Sequence, residues 1–234
     1  SHGSVLMSKS IYLRLAGPLQ SWTGMKITGN VAHTNRFPTA SGLKGLLAGA
    51  LGYKRGSWED WLDEVFFSVR QDRPGRVVDE FQTINPPYKE EMFRRRIIIA
   101  HNLRASDKSM SFTPDAQSGT AISKRTYLAD SEFIVQITCA DHTKDIAAAL
   151  RDPTYSTYLG RKAFAPSFPF YLGIGPTKDF AKLPLFVTNS NFKERFATIK
   201  DYVPGQELAP RRQQFTTVGT REQWYASVKE KLQL

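Results

Sequence analysis

The sequence contains little that would support disulfide or metal chemistry. Cys139 is the only cysteine among 234 residues, which excludes an intrachain disulfide and a multi-thiolate zinc site. The histidines are scattered, and no HExxH, GxxxxGK[ST] or GxSxG string occurs. We therefore expect no metal and no cofactor. No segment approaches the length of a transmembrane helix and no secretory signal is visible, so we expect a cytoplasmic protein without membrane contact.

Acidic residues are also in short supply. The chain has 32 Lys and Arg against 22 Asp and Glu, a formal net charge of +10. Residues 94–125 (RRRIIIAHNLRASDKSMSFTPDAQSGTAISKR) contain seven of the cations and only two carboxylates. Positive charge concentrated in this way favours a polyanionic partner such as nucleic acid.

The clearest predicted helix is SGLKGLLAGALG at residues 41–52. Leucines recur at helical spacing, with Ser41 as the expected N-cap and Gly52 as the residue that ends the helix. Three glycines, Gly42, Gly45 and Gly49, occupy a second face. Each costs about 1 kcal/mol relative to alanine inside a helix. Tight packing against another element or a ligand is the expected reason for them.

Alternating and helical patterns interleave along the rest of the chain. IYLRLAG (11–17) predicts a strand with one buried face. Further strands are predicted in VFFSVRQ, RVVDEFQTI, YLADSEFIVQITC and REQWYASV, and further helices in SWEDWLDEV and HTKDIAAALRD. Phe168, Phe170 and Tyr171 are expected in the core. This order predicts an α+β fold of ferredoxin-like type.

Two kinds of RNA chemistry fit the charge. Metal-independent cleavage needs a general acid or base near a 2′-hydroxyl, for which His101 with Lys108, Lys124 or Tyr127 is a weak candidate. Binding has better support, because LGRKAF (159–164) places two cations directly after a glycine and beside aromatic residues.

Three strings then occur in order: LRLAGPLQSW (13–22), RFPTASGLKGLLAGALG (36–52) and TYLGRKAFAPSFPFYLG (157–173). They resemble the CasD-type subunit family of the type I-E CRISPR surveillance complex, Cascade. FFSVRQDRPGRVVDEFQTI resembles the same family, so the resemblance covers most of residues 11–173.

The resemblance implies a RAMP-superfamily, RRM-like fold with a long β-hairpin arm inserted. It implies a noncatalytic subunit that binds the repeat-derived five-prime handle of crRNA in antiviral defence. This subunit caps the backbone of the complex and contacts a CasC-type backbone subunit and a CasA-type large subunit. The alternative is a metal-independent endoribonuclease that processes repeat RNA, as in type I-C relatives.

The resemblance also gives an expected domain plan. Residues 1–7 look like a tag remnant, and 8–234 form a single RAMP-type domain. The basic arm lies at about 86–126, and a C-terminal extension begins at about 176.

The expected RNA contacts fall into four groups. They comprise the end of the first strand with the residues that follow it, the N-terminus of the 41–52 helix, the arm, and the glycine-containing loop. A helix N-terminus attracts phosphate, cations neutralise phosphates, and aromatic rings stack on bases. The residues are Gln20, Ser21, Trp22, Arg36, Ser41, Gly42, Lys44, Arg94, Arg95, Arg96, His101, Arg104, Lys108, Lys124, Arg125, Tyr158, Gly160, Arg161 and Lys162.

Overall fold

The computed structural model describes residues 8–22, 31–32, 34–84, 121–161, 164–188 and 192–234. The chain divides into two compact units. Residues 1–22, 35–76 and 128–234 form the first unit, and residues 23–34 and 77–127 form the second.

The described elements are as follows. The strands are β1 (Lys9–Ala16), β2 (Leu19–Gln20), β3 (Val31–Ala32), β4 (Phe66–Arg73), β5 (Arg76–Ile84), β6 (Ala121–Ala129), β7 (Glu132–Thr138), β8 (Tyr171–Pro176), β9 (Leu185–Phe186), β10 (Glu194–Val203), β11 (Gln206–Glu207) and β12 (Arg211–Val218). The α-helices are α1 (Ala40–Leu51), α2 (Thr143–Arg151) and α3 (Arg221–Lys231), and 3-10 helices cover Asp60–Glu64 and Thr177–Lys182.

The centre of the first unit is a four-stranded antiparallel arrangement. Its strands lie in the order β8-β1-β7-β4. Along the chain they alternate with α1 and α2 as β-α-β-β-α-β, with β5 and β6 inserted after β4. This is the split β-α-β arrangement of ferredoxin-like folds, and the predicted α+β class is confirmed.

The C-terminal residues extend the same sheet. β10 pairs antiparallel with β4, β12 pairs antiparallel with β10, and β9 lies parallel to β12. The strand predicted in REQWYASV is wrong, because these residues begin helix α3. Thr220 caps that helix by accepting a hydrogen bond from the Gln223 N–H, and Trp224 and Val228 are buried one turn apart.

Both faces of the sheet are covered. Helices α1 and α2 place Leu43, Leu47 and Ile146 on one face, while Trp224 of α3 and Phe215 of β12 lie in the cluster on the other. Strand β1 therefore has two buried faces rather than the one predicted, and its residues 10–16 are at most 9% exposed. Among the aromatics expected in the core, Phe170 and Tyr171 pack against it, but Phe168 is 85% exposed.

The second face also buries charge. Glu132 on β7 is 3% exposed. It accepts hydrogen bonds from Arg14 Nε and from both terminal nitrogens of Arg221, the latter at 3.0 and 3.1 Å. Burial alone would raise the pKa of the Glu132 carboxyl, but the two guanidinium groups outweigh it and hold that pKa below its ordinary value. The cluster joins β1, β7 and α3.

A second sheet is built around β6. Its C-terminal end pairs antiparallel with β2, its N-terminal half pairs parallel with β3, and β5 pairs with it as well. The basic arm predicted at about 86–126 lies outside the described residues except for 121–126, which belong to β6. The hairpin form of the arm stays a prediction.

Among the described residues, each helix is too short or too polar to cross a membrane. No group of three or more His, Cys, Asp or Glu side chains is arranged there to hold a metal ion.

Candidate nucleic-acid interface

The chain that leaves β1 is fixed by the side chain of Gln20. Its Nε2 donates to the carbonyls of Leu15 at 3.1 Å and Ser131 at 3.0 Å, and its Oε1 accepts from Trp22 Nε1 at 2.9 Å. Gln20 is fully buried, and Trp22 and Ser21 are 1% and 4% exposed. The prediction that these side chains contact an unstacked base is therefore corrected, because they are enclosed by the protein itself.

Trp22 packs against the first turn of helix α1. A Cβ on Gly42 would lie 2.8 Å from the Trp22 ring, which is closer than real contacts allow. The expectation of tight packing is thus met at Gly42. Asn35 fixes the same tryptophan, since its backbone N–H and its side-chain amide both donate to the Trp22 carbonyl, at 2.7 and 2.8 Å.

The N-terminus of α1 differs from the prediction. The helix begins at Ala40, and the cap is Thr39 rather than Ser41, because Thr39 Oγ1 accepts the Gly42 N–H at 3.1 Å. That N–H is therefore already occupied and does not await a phosphate. Lys44 also has a partner, since its Nζ lies 3.1 Å from Asp63 Oδ1. Ser41 is exposed.

The loop that begins LGRK folds directly onto the end of β2. Gly160 has φ +89°, and a Cβ there would lie 1.5 Å from the Ser21 carbonyl oxygen. The Ser21 N–H donates to the Leu159 carbonyl at 3.0 Å. The Phe164 N–H donates to the backbone carbonyl of Arg161. Gly160 is therefore required by the approach of the chain's own backbone, not by a phosphate as predicted.

Two cations of the first unit lie beside this turn. Arg36 follows Asn35 and is exposed, and Arg161 follows Gly160 and is half-buried, with its guanidinium carbon 5.9 Å from the Phe164 ring. In the second unit, Arg125 has a buried Nε for which the described residues supply no hydrogen-bond partner. Within the first unit, Arg36 and Arg161 therefore supply positive charge at the strand end.

Other predicted contacts are not located. Arg94, Arg95, Arg96, His101, Arg104, Lys108 and Lys162 lie outside the described residues. The backbone of Lys124 pairs with Val31 in the second sheet. Tyr158 is 43% exposed and lines a groove beside α1 rather than the turn at Gly160.

Three stretches that are distant in sequence therefore meet at one place, which we call the motif junction: residues 20–22, 35–42, and 159–161 with 164. Trp22 joins the first to the second, and Ser21 joins the first to the third. Sequence reasoning missed Asn35 and Thr39. The Thr39 cap carried a local signal, a threonine directly before the periodic run, whereas the contacts of Asn35 depend on tertiary structure.

Comparison with known proteins gives a consistent result. The family model described as "CRISPR-associated protein (Cas_Cas5)" matches residues 10–225. The chain is 30% identical to the CRISPR system Cascade subunit CasD of Escherichia coli (strain K12) over 184 residues, which is 74% of each protein.

Solved structures agree with that result. A chain of a CRISPR RNA-guided surveillance complex superposes with a TM-score of 0.69 at 25% identity, covering 94% of this chain and 97% of its own length. A crystal structure of a Cas protein shares the fold, with a TM-score of 0.54 at 21% identity over 88% of this chain and 93% of the other.

Proposed function

The chain belongs to the Cas5 family of CRISPR-associated proteins, and we propose that it is a noncatalytic crRNA-binding subunit of a Cascade surveillance complex. In this role it holds the repeat-derived five-prime handle and caps the backbone in antiviral defence. The observation that carries the proposal is the motif junction. The three strings that resemble CasD-type subunits are far apart in sequence, yet their residues pack together.

The RNA would be held mainly through its phosphates. Arg36 and Arg161 each directly follow a residue that contacts the Ser21–Trp22 backbone, so both cations are anchored to the same strand end. Such cations neutralise phosphates and make binding depend on salt. Arg125 and the arm residues Arg94, Arg95, Arg96, His101, Arg104 and Lys108 are further proposed contacts.

The described residues give no support to the nuclease alternative. Tyr127, considered with His101 as a proton donor or acceptor, is 4% exposed. His142, the one histidine among the described residues, stacks on Trp61 with ring centroids 3.9 Å apart. Contacts with a CasC-type backbone subunit and a CasA-type large subunit, in the cytoplasm, complete the proposal.

A gel-shift assay tests this function. The purified chain is mixed in EDTA with its cognate repeat RNA or with an RNA whose handle is scrambled. We expect a shift for the cognate RNA and no cleavage. Replacing Arg161 and Lys162 with alanine should weaken binding and lower the slope of log affinity against log salt by about 1.4, since each single-strand phosphate contributes roughly 0.7.

The control is Lys178→Ala, an exposed lysine on the 3-10 helix Thr177–Lys182, which should leave the slope unchanged. Equal affinity for cognate and scrambled RNA would contradict handle recognition. A discrete metal-independent cut within the repeat would establish the endoribonuclease instead.

A further inference from the structure

Helix α1 borders a second surface that the proposed function does not use. An open groove of about 1220 Å³ runs beside the helix, with Gly45 and Gly49 on its floor. Its walls carry three large aromatic side chains that are 41%, 47% and 43% exposed: Trp58, Tyr155 and Tyr158. We call this surface the aromatic groove. Its volume exceeds the roughly 300–1,000 Å³ of ordinary small-molecule pockets.

Packing among the described residues does not account for the two floor glycines. A Cβ on Gly49 would meet no described atom within 4 Å, and one on Gly45 would meet only the Trp58 ring, at 3.8 Å. Each glycine nevertheless costs about 1 kcal/mol of helix stability relative to alanine. Small residues four positions apart allow another backbone to approach a helix closely. The space over Gly45 and Gly49 therefore suits an element from outside the chain.

The groove is held in shape by backbone hydrogen bonds. The Thr154 and Tyr155 N–H groups donate to the carbonyls of Ala50 and Gly49, at 3.0 and 3.2 Å. These bonds attach the wall that carries Tyr155 and Tyr158 to the end of the helix. A partner would meet a preorganised surface, so its binding would cost little ordering entropy.

The charge around the groove differs from that expected of an RNA-binding site. Lys54 and Arg55 are exposed on its rim, and its lining, as far as the structure describes the chain, holds no carboxylate. The segment that follows is acidic, so residues 44–64 hold three cations against four carboxylates in a protein of net charge +10. The carboxylate of Glu59 accepts a hydrogen bond from Trp61, whose ring meets Tyr53 of the groove edge-on.

The four carboxylates of residues 59–64 follow the two rim cations closely in the chain, so a phosphate backbone would gain little net attraction here, and RNA affinity depends on that attraction. Exposed Trp, Tyr and Arg around a concave surface are instead characteristic of protein interfaces.

We propose that the aromatic groove docks a segment of another protein subunit of the complex. This segment places small apolar side chains over Gly45 and Gly49 and a carboxylate against Lys54 and Arg55. The proposal rests on the proposed function only in requiring a multi-subunit complex.

The test is Gly49→Leu, which fills the groove from its floor where the chain itself has open space. The variant is co-expressed with crRNA and the other subunits of its own complex, and incorporation is measured by size-exclusion chromatography and native mass spectrometry. The isolated variant is assayed for thermal stability and for binding to handle RNA. Gly49→Ala is the matched control, and Arg55→Glu tests the rim charge independently.

We expect Gly49→Leu and Arg55→Glu to reduce incorporation at least tenfold. Handle affinity should stay within twofold of the unmodified chain and the thermal stability should not fall, while Gly49→Ala, which adds a single methyl group, should incorporate better than Gly49→Leu. Normal incorporation of Gly49→Leu would overturn the proposal. A parallel fall in handle affinity for both groove variants would also overturn it, because RNA would then be the occupant. Failure of the unmodified chain to bind handle RNA would count against the proposed function. The incorporation measurement would still test the docking proposal.

Discussion

Gly42 and Gly49 lie on the same helix, two turns apart, in opposite surroundings. At Gly42 the Trp22 ring occupies the place of a side chain, whereas at Gly49 a side chain would meet no described residue within 4 Å. The first belongs to the motif junction, which the chain closes on itself, and the second to the aromatic groove, which the described residues leave open. A glycine in a helix thus indicates that space is needed, and only the fold shows whether the chain or a partner fills it.

The largest expected effect is at Gly160, in the motif junction. Gly160→Ala would place a Cβ 1.5 Å from the Ser21 carbonyl oxygen at a φ of +89°, so the loop must leave the strand end. We expect a loss of stability on the order of 4–5 kcal/mol, as for other strained backbone positions. Urea unfolding measures it, and handle binding should fall with it. A loss below about 1 kcal/mol would show that the loop does not pack there.

The buried ion cluster around Glu132 gives the next effect. Arg14 links the Glu132 carboxylate to the Phe168 carbonyl, to which its Nη1 donates at 3.2 Å. Glu132→Gln removes one partner from a buried ion cluster, which costs about 3 kcal/mol at neutral pH.

The pH dependence of that loss checks its cause. Because folding lowers the pKa of Glu132, its stabilisation is complete above the ordinary carboxyl value of 4.5 and disappears as the pH falls through the folded-state value. Urea unfolding of both proteins across this range should therefore show the difference between them shrinking in acid. A difference that is constant with pH would mean that the glutamine disturbs packing rather than charge.

Gly42→Ala is expected to have a moderate effect. The added methyl group would lie 2.8 Å from the Trp22 ring, and Trp22 is itself held by Gln20. Overpacking of this kind costs about 2 kcal/mol, even though alanine is the better helix former. Thermal unfolding should show a lower Tm than the unmodified chain. An unchanged Tm would mean that the tryptophan moves aside and that the motif junction is looser than its contacts indicate.

Sequence reasoning succeeded where structure is local and failed where it depends on distant contacts. Leucine spacing predicted α1, and alternation predicted β1, β4 and β7. The burial of Gln20 was not visible, because one of its acceptors is the carbonyl of Ser131, 111 residues away.

The same reason explains the error at the C-terminus. Trp224 and its neighbours have the composition of a strand, but the Thr220 cap and the bond from Trp224 Nε1 to the Pro184 carbonyl select a helix. The candidate site shows the same difference between local and distant features. Its three strings could be identified from the sequence, but the contacts between them could not.

The smallest expected effect is a gain in stability, and it tests Gly49 in the aromatic groove. Gly49→Ala adds a methyl group where no described residue lies within 4 Å, so it should stabilise the isolated chain by about 1 kcal/mol through helix propensity alone. Gly42→Ala on the same helix is the internal control, because propensity favours both substitutions and only packing distinguishes them. Thermal and urea unfolding should therefore move in opposite directions for the two variants. If both were destabilising, Gly49 would already be packed in the isolated chain, and the glycine would need no partner to explain it.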